Sequence, residues 1–211
     1  MHENSLRESA GKSFDLAVKH LRQGGVVAFP TETYYGLAVD PDCASAVKQL
    51  FLVKKRSADK PLLLLIENIE QLKDVVQEVP EAYRALINKY WPGPLTLVFK
   101  AKETVSQKIS GNTGTVGIRI SPHPVAQELV RRMGKPITAT SANISGHPPA
   151  RSAQEVIAML GDAVDYLLDG GQTEAGLCST ILGMQDDKLK ILRPGAIVFS
   201  ENFGEPSSKK S

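Results

Sequence analysis

The chain has 211 residues, 42% of them apolar and 23% charged, with a formal charge of +2 at pH 7, a balance inside the ordinary globular range and long enough to bury one substantial core. So small an excess of cations marks no nucleic-acid binder unless the cations gather on one face. The longest apolar run, residues 62–66, is too short to span a bilayer, residues 1–12 lack a signal-peptide pattern, and Cys43 and Cys178 stand far apart with no Cys/His cluster, so membrane spans, disulfide frameworks and zinc sites are not indicated and a cytosolic protein is expected.

In chain order, Phe14, Ala17, Val18 and Leu21 recur at helical spacing after Ser13 and stop at Gly24-Gly25, which predicts a first amphipathic helix. Val26 to Phe29, stopped by Pro30, suits a buried strand that delivers Thr31 to Tyr35 onto a loop at its C-terminal end. Asp42 can cap a second helix whose stripe of Ala44, Val47, Leu50 and Phe51 brings Lys54 out near its end. Residues 62–66 read as a strand, 69–76 and 81–90 as helices, and Trp91-Pro92-Gly93-Pro94 as a rigid turn before a strand over 95–101. Strands over 115–120 and 136–140, helices over 124–133 and 153–160, and short strands over 164–168, 179–184 and 189–192 complete the alternation. This interleaving predicts one α/β domain, a single mixed sheet with helices packed on it, over residues 13–200. Residues 1–12 and 201–211, the latter Ser/Lys-rich, are expected to be flexible termini.

The phosphate loop Gly-x-x-x-x-Gly-Lys-Ser/Thr, the dinucleotide fingerprint Gly-x-Gly-x-x-Gly and His-Glu-x-x-His are all missing, so a P-loop NTPase or a Rossmann oxidoreductase is not expected. Polar segments that follow apolar runs stand out instead. Residues 30–37, Pro-Thr-Glu-Thr-Tyr-Tyr-Gly-Leu, can recognise a small polar ligand or simply satisfy a turn with the tyrosines in the core. Lys54, Lys55, Arg56 and Lys60 precede a buried strand and can converge on a triphosphate, or they form a solvated helix end. Ser141 and Asn143, two apart, can grip one ligand from an extended stretch, or build a capping or Asx-turn loop. Arg119 lies inside an apolar strand, where an unpaired guanidinium would cost several kcal/mol, so it must meet an anion: a ligand carboxylate or a protein one. Ser179-Thr180 and Arg193-Pro194-Gly195 put hydroxyls into a strand and an arginine out of one, while His2, His20, His123 and His147 show no metal spacing.

Taken in order, residues 30–37, Lys54-x-Arg56, Val116-Gly117-Ile118-Arg119, Ser141-x-Asn143, Ser179-Thr180 and Arg193-Pro194-Gly195 resemble the YrdC-type L-threonylcarbamoyladenylate synthases, over about residues 13 to 200. The resemblance implies a twisted mixed parallel and antiparallel sheet with flanking helices around a basic concave cleft. It implies an enzyme joining L-threonine, bicarbonate or carbon dioxide, and ATP into threonylcarbamoyl-adenylate and pyrophosphate, toward threonylcarbamoylation of adenosine 37 in tRNAs reading ANN codons. Carried over by position, Lys54, Arg56, Ser141 and Asn143 form the catalytic set. Lys60, Thr115 and Arg193 join them on ATP, and Thr33, Arg119 and Ser179 hold threonine, with Arg119 on its carboxylate. Mg2+ is expected with ATP, weak contact with tRNA or double-stranded RNA (dsRNA) is allowed for, and downstream threonylcarbamoyl transferase proteins are the implied partners. Two positions depart from the family pattern. Ser57 stands where many relatives have proline, and Leu65 where longer two-domain relatives have a histidine, which implies the short form of the family.

A module for structured RNA is the rival reading, since a basic α/β surface can hold a phosphate backbone without catalysis. Aromatic residues make up only 6% of the chain and form no stacking pattern, which gives that reading little support.

Overall fold

The computed structural model describes residues 13–174 and 176–199; both expected flexible termini, 1–12 and 201–211, lie outside the described residues. Helix α1 covers residues 13–22 and buries Ala17, Val18 and Leu21, the stripe its spacing predicts. Strand β1 (Val27–Pro30) is wholly buried and folds straight back into β2 (Tyr35–Ala38), with Pro30 opposite Tyr35 and Val27 opposite Ala38. The segment 30–37, expected to be a loop, is therefore half strand. The reversal is built by Thr31, whose Oγ1 accepts the N–H groups of Thr33 at 3.2 Å and Tyr34 at 3.3 Å, a side-chain turn that needs no glycine.

Helix α2 (Ala44–Val53) buries Ala46, Val47, Leu50, Phe51 and Val53. Asp42 does not cap it: Cys43 takes that position with no side-chain capping bond, and the Asp42 carboxylate is paired with Lys135 at 2.7 Å instead. Strand β3 (Leu63–Leu65), a 3-10 turn (Ile69–Gln71) running into α3 (Leu72–Val75), and α4 (Glu81–Tyr90) follow. Next come β4 (Leu95–Lys100), the short α5 (Gln107–Ser110), β5 (Thr115–Arg119) and α6 (Pro124–Met133). The chain continues through β6 (Ile137–Thr138), β7 (Thr140–Ser141), α7 (Ala153–Leu160), β8 (Tyr166–Leu167), β9 (Thr180–Gln185) and β10 (Lys188–Arg193).

The architecture is mixed α/β with flanking helices, but the strands form two sheets rather than one: β7-β2-β1-β8 and β10-β9-β4-β5-β3-β6. Parallel and antiparallel pairings occur in both. The run expected as one strand over 136–140 breaks at Ala139, so that β6 pairs with β3 in the larger sheet and β7 with β2 in the smaller. The apolar side chains divide likewise. Alternate residues leading into and along β1 enter different clusters, Val26 and Ala28 in one and Val27 and Phe29 in the other, as the two-residue period of an extended chain buried on both faces requires. No helix among the described residues is long and apolar enough to cross a membrane.

Candidate active site

Where the two sheets meet they enclose a cleft of about 170 Å³. The smaller sheet contributes Thr31, Thr33, Tyr34 and Ser141. The larger contributes Arg119 from the end of β5 and Arg193 from the end of β10, with Cys178 and Ser179 leading into β9, and Arg56 and Pro61 come from the connection after α2. Six of the residues singled out from the sequence, Thr33, Arg56, Arg119, Ser141, Ser179 and Arg193, thus share one lining.

Three guanidinium groups converge on this cleft, and among the described residues no Asp or Glu lines it. Arg56 donates through Nη2 to the Pro61 carbonyl at 2.9 Å, while its buried Nε has no partner. Burial, and then the neighbouring Arg193, push its pKa below the ordinary guanidinium value. Arg193 donates through Nη2 to the Ser179 carbonyl at 2.8 Å and to its Oγ at 3.1 Å, and that hydroxyl also meets Thr96 Oγ1 at 2.9 Å. Gly195 makes the approach feasible: a Cβ there would lie 2.3 Å from the Cys178 carbonyl oxygen, far inside van der Waals contact.

Arg119 is only 4% exposed, and a protein carboxylate answers its charge: Nη1 meets Glu32 Oε1 at 2.7 Å and lies 3.5 Å from Thr33 Oγ1. Its Nε is buried without a partner. Burial lowers its pKa, Glu32 opposes that shift, and Arg193 adds to it. Glu32 belongs to the segment read as ligand-binding, yet no role fell to it from sequence; the signal was the lone cation in β5, which demanded an anion without naming one. Tyr34 and Cys178 line the cleft as well; Tyr34 lies within the segment 30–37 singled out from the sequence and Cys178 just ahead of Ser179-Thr180, but no role fell to either.

Lys54, Asn143, Lys60 and Thr115 do not line the cleft. Lys54 is 2% exposed, and its ammonium donates to the carbonyls of Ser141 and Asn143 and to Asn143 Oδ1, the latter two at 3.0 Å. Three acceptors use all three hydrogens of an ammonium. In return, Ser145 N–H donates to the Lys54 carbonyl at 2.8 Å. Asn143 is engaged throughout: Oδ1 also accepts the Ser141 hydroxyl at 2.6 Å, and Nδ2 donates to the His147 carbonyl at 2.6 Å. Lys54 and Asn143 thereby hold the loop that presents Ser141 to the cleft. Lys60 is exposed on a turn, and the Thr115 hydroxyl is paired with Thr113 Oγ1 at 2.7 Å. Leu65, fully buried opposite Arg119 in the β3–β5 register, is part of the core.

The Sua5/YciO/YrdC family model, described as telomere recombination, matches residues 19–195. Threonylcarbamoyl-AMP synthase of Pyrococcus abyssi is 40% identical over 186 residues, covering 88% of this chain and 55% of the relative. The Bacillus subtilis enzyme of that name is 42% identical over 178 residues, covering 84% and 51%. The chain thus spans about half the length of those two relatives, but 87% of the Vibrio campbellii threonylcarbamoyl-AMP synthase, to which it is 36% identical over 161 residues, 75% of this chain. The crystal structure of Pyrococcus abyssi Sua5 complexed with L-threonine superposes with a TM-score of 0.83, at 40% identity, over 86% of this chain and 54% of that one. The arginine-lined cleft between two sheets is therefore carried by a chain that belongs to the Sua5/YciO/YrdC family.

Proposed function

We propose that this chain is an L-threonylcarbamoyladenylate synthase, forming threonylcarbamoyl-AMP and pyrophosphate from ATP, L-threonine and bicarbonate or carbon dioxide in the cytosol. The observation that carries the reading is the convergence of Arg56, Arg119 and Arg193 with the hydroxyls of Thr33, Ser141 and Ser179 in one cleft. Relatives named threonylcarbamoyl-AMP synthase and a threonine-bound neighbour support it.

The chemistry calls for such a lining. The threonine amine becomes a carbamate, whose oxygen attacks the α-phosphorus of ATP; a new P–O bond forms as the bond to the β-phosphate oxygen breaks, and pyrophosphate leaves with the electron pair. A carboxylate and a triphosphate repel one another, so fixed cations must screen the approach and stabilise the leaving group. Arg56 and Arg193, which feel each other's charge, take the phosphates, and Arg119 with Thr33 and Ser179 takes the amino acid. Ser141 holds the nucleotide, and Lys54 and Asn143 act by fixing its loop.

Magnesium enters as the counterion of ATP, borne on phosphate oxygens. Among the described residues no group of three or more His, Cys, Asp or Glu converges, and Glu32 is engaged by Arg119 and Ser121, so the side chains do not fit a resident metal cage. The product is a reactive mixed anhydride, which in this reading passes to threonylcarbamoyl transferase proteins for modification of tRNA, with only weak contact between this chain and tRNA itself.

The test is pyrophosphate release and AMP-linked product from ATP, with threonine and bicarbonate each left out in turn. Dependence on both is expected. Tight tRNA binding at physiological salt with no threonine-dependent pyrophosphate release would refute the reading in favour of an RNA module.

A further inference from the structure

Glu32 is held at both of its oxygens. Oε1 accepts from Arg119 Nη1 at 2.7 Å, and Oε2 accepts the Ser121 hydroxyl, whose oxygen in turn accepts the His123 N–H at 3.2 Å, just ahead of α6. The pair is nearly dry, with the Arg119 side chain 5% exposed and that of Glu32 14%. It is also one-pronged. Arginine and carboxylate ordinarily meet through two parallel hydrogen bonds, whereas here Glu32 takes Nη1 alone and Nε, although buried, has no partner. An orphaned donor on a buried cation carries a large desolvation cost, and this one belongs to a residue that lines the cleft.

We propose that Glu32 is a positioning residue: it fixes Arg119 by one nitrogen and so leaves the rest of the guanidinium to receive the carboxylate of an α-amino-acid substrate. The inference rests on the synthase reading for the nature of that substrate. A contrary role is open to the same residue, that of a stand-in anion which the incoming carboxylate must displace. The anchoring argues against it, because leaving Arg119 would also pull Glu32 from Ser121 or strain that bond. The two roles predict effects of opposite sign.

Glu32→Ala, Glu32→Gln and Ser121→Ala are compared with the wild-type protein by calorimetric titration of L-threonine and of ATP, alongside thermal melting. The positioning role predicts that Glu32→Ala weakens threonine binding by about tenfold or more, the loss of one charge-assisted orientation, with ATP binding unchanged. Glu32→Gln, which keeps the length and an acceptor oxygen, should recover part of the loss. Ser121→Ala, which touches only the far oxygen, should show a smaller loss of the same kind, and it remains informative if Glu32→Ala does not fold. Threonine binding that is unchanged or tighter in the folded variants overturns the inference, as does a parallel fall in both affinities with a lowered melting temperature. A wild-type protein that binds no threonine overturns the substrate reading and the inference with it; one that binds threonine no better than its Glu32 variants overturns the inference alone.

Discussion

Replacing Lys54 with methionine removes an ammonium from three oxygens while keeping most of the apolar stem. A hydrogen bond from a charged group contributes about 1.5–3 kcal/mol, and a buried acceptor left bare costs about 1–3 kcal/mol. Against this runs relief from burying a cation that has no carboxylate partner, worth several kcal/mol. Asn143 Oδ1 keeps the Ser141 hydroxyl and the Ser141 carbonyl keeps the Asn143 N–H at 3.0 Å, so the group stripped bare is the backbone carbonyl of Asn143. The net loss should be about 2–4 kcal/mol, or about 4–16 °C in melting temperature for a chain of this size. ATP binding should fall too, because the loop presenting Ser141 loses its clamp. The pH dependence carries a second mark. Burial, and then Arg56, pull the Lys54 pKa down to about 7, below the value of about 10.4 in an unfolded chain. Between those limits the unfolded chain binds more protons, so this group makes stability rise as pH climbs from about 7 to about 10. Urea midpoints and melting temperatures across that range, with ATP titrations on the same samples, decide the matter: Lys54→Met should melt lower and lack the rise. A variant that melts like the wild type yet binds no ATP would refute the reasoning, since the ammonium would then meet phosphate directly.

Three further expectations follow from single contacts. Arg56→Ala, losing one bond to the Pro61 carbonyl, should leave the melt nearly unchanged but weaken ATP binding by about 1.5–3 kcal/mol, roughly 10- to 150-fold by calorimetry; unchanged affinity in the folded variant would remove Arg56 from the phosphate site. Gly195→Ala should lower both threonine affinity and melting temperature, because the added Cβ meets the Cys178 carbonyl at 2.3 Å and must push Arg193 away from Ser179; wild-type threonine binding would show that this contact does not set the cleft. Tyr83→Phe removes a hydroxyl that donates to the Val98 carbonyl at 2.8 Å, which should lower stability by about 1–2 kcal/mol with pyrophosphate release untouched; a change in release would mean that this distant core bond shapes the cleft.

The elements legible from sequence were those with a clear period or run: α1, α2, α6 and β3 to β5 stand where apolar spacing places them. β2 was hidden because Thr31 makes its turn with a side chain, so the polar residues before Tyr35 resemble an open loop. α5 is one short turn of Gln-Lys-Ile-Ser, with a single buried apolar residue, Ile109, and nothing periodic to detect. The division into two sheets depends on hydrogen bonds of the Ala139 neighbourhood with strands far away in the chain, which no local pattern reports. Within the site, residues whose chemistry demanded a partner were found readily, Arg119 above all. The partner was not, since Glu32 is one of 23 acidic residues and only the hairpin brings it to β5. Lys54 shows the converse limit: helical spacing placed it at the end of α2 correctly, but whether its ammonium turns outward or into the loop below is a matter of packing.

Ala139 also governs where this chain can change length. On one side of it Ile137 and Thr138 are matched to Leu65 and Leu64; on the other, Thr140 and Ser141 are matched to Leu37 and Gly36. One inserted or deleted residue between them would leave only one of those matches intact, and a strand that slips by one residue turns every side chain to its opposite face. Either the smaller sheet would withdraw Ser141 from the cleft or the larger would expose Ile137. The hairpin joining β9 to β10 is under no such restraint. Its two-residue turn, Asp186 and Asp187 at φ of 50° and 57°, lies at the end of an edge pair whose far end, Ile181 opposite Arg193, reaches the site. Natural length variation and engineered insertions should accordingly gather at residues 185–188, while the stretch from Ile137 to Ser141 keeps its count.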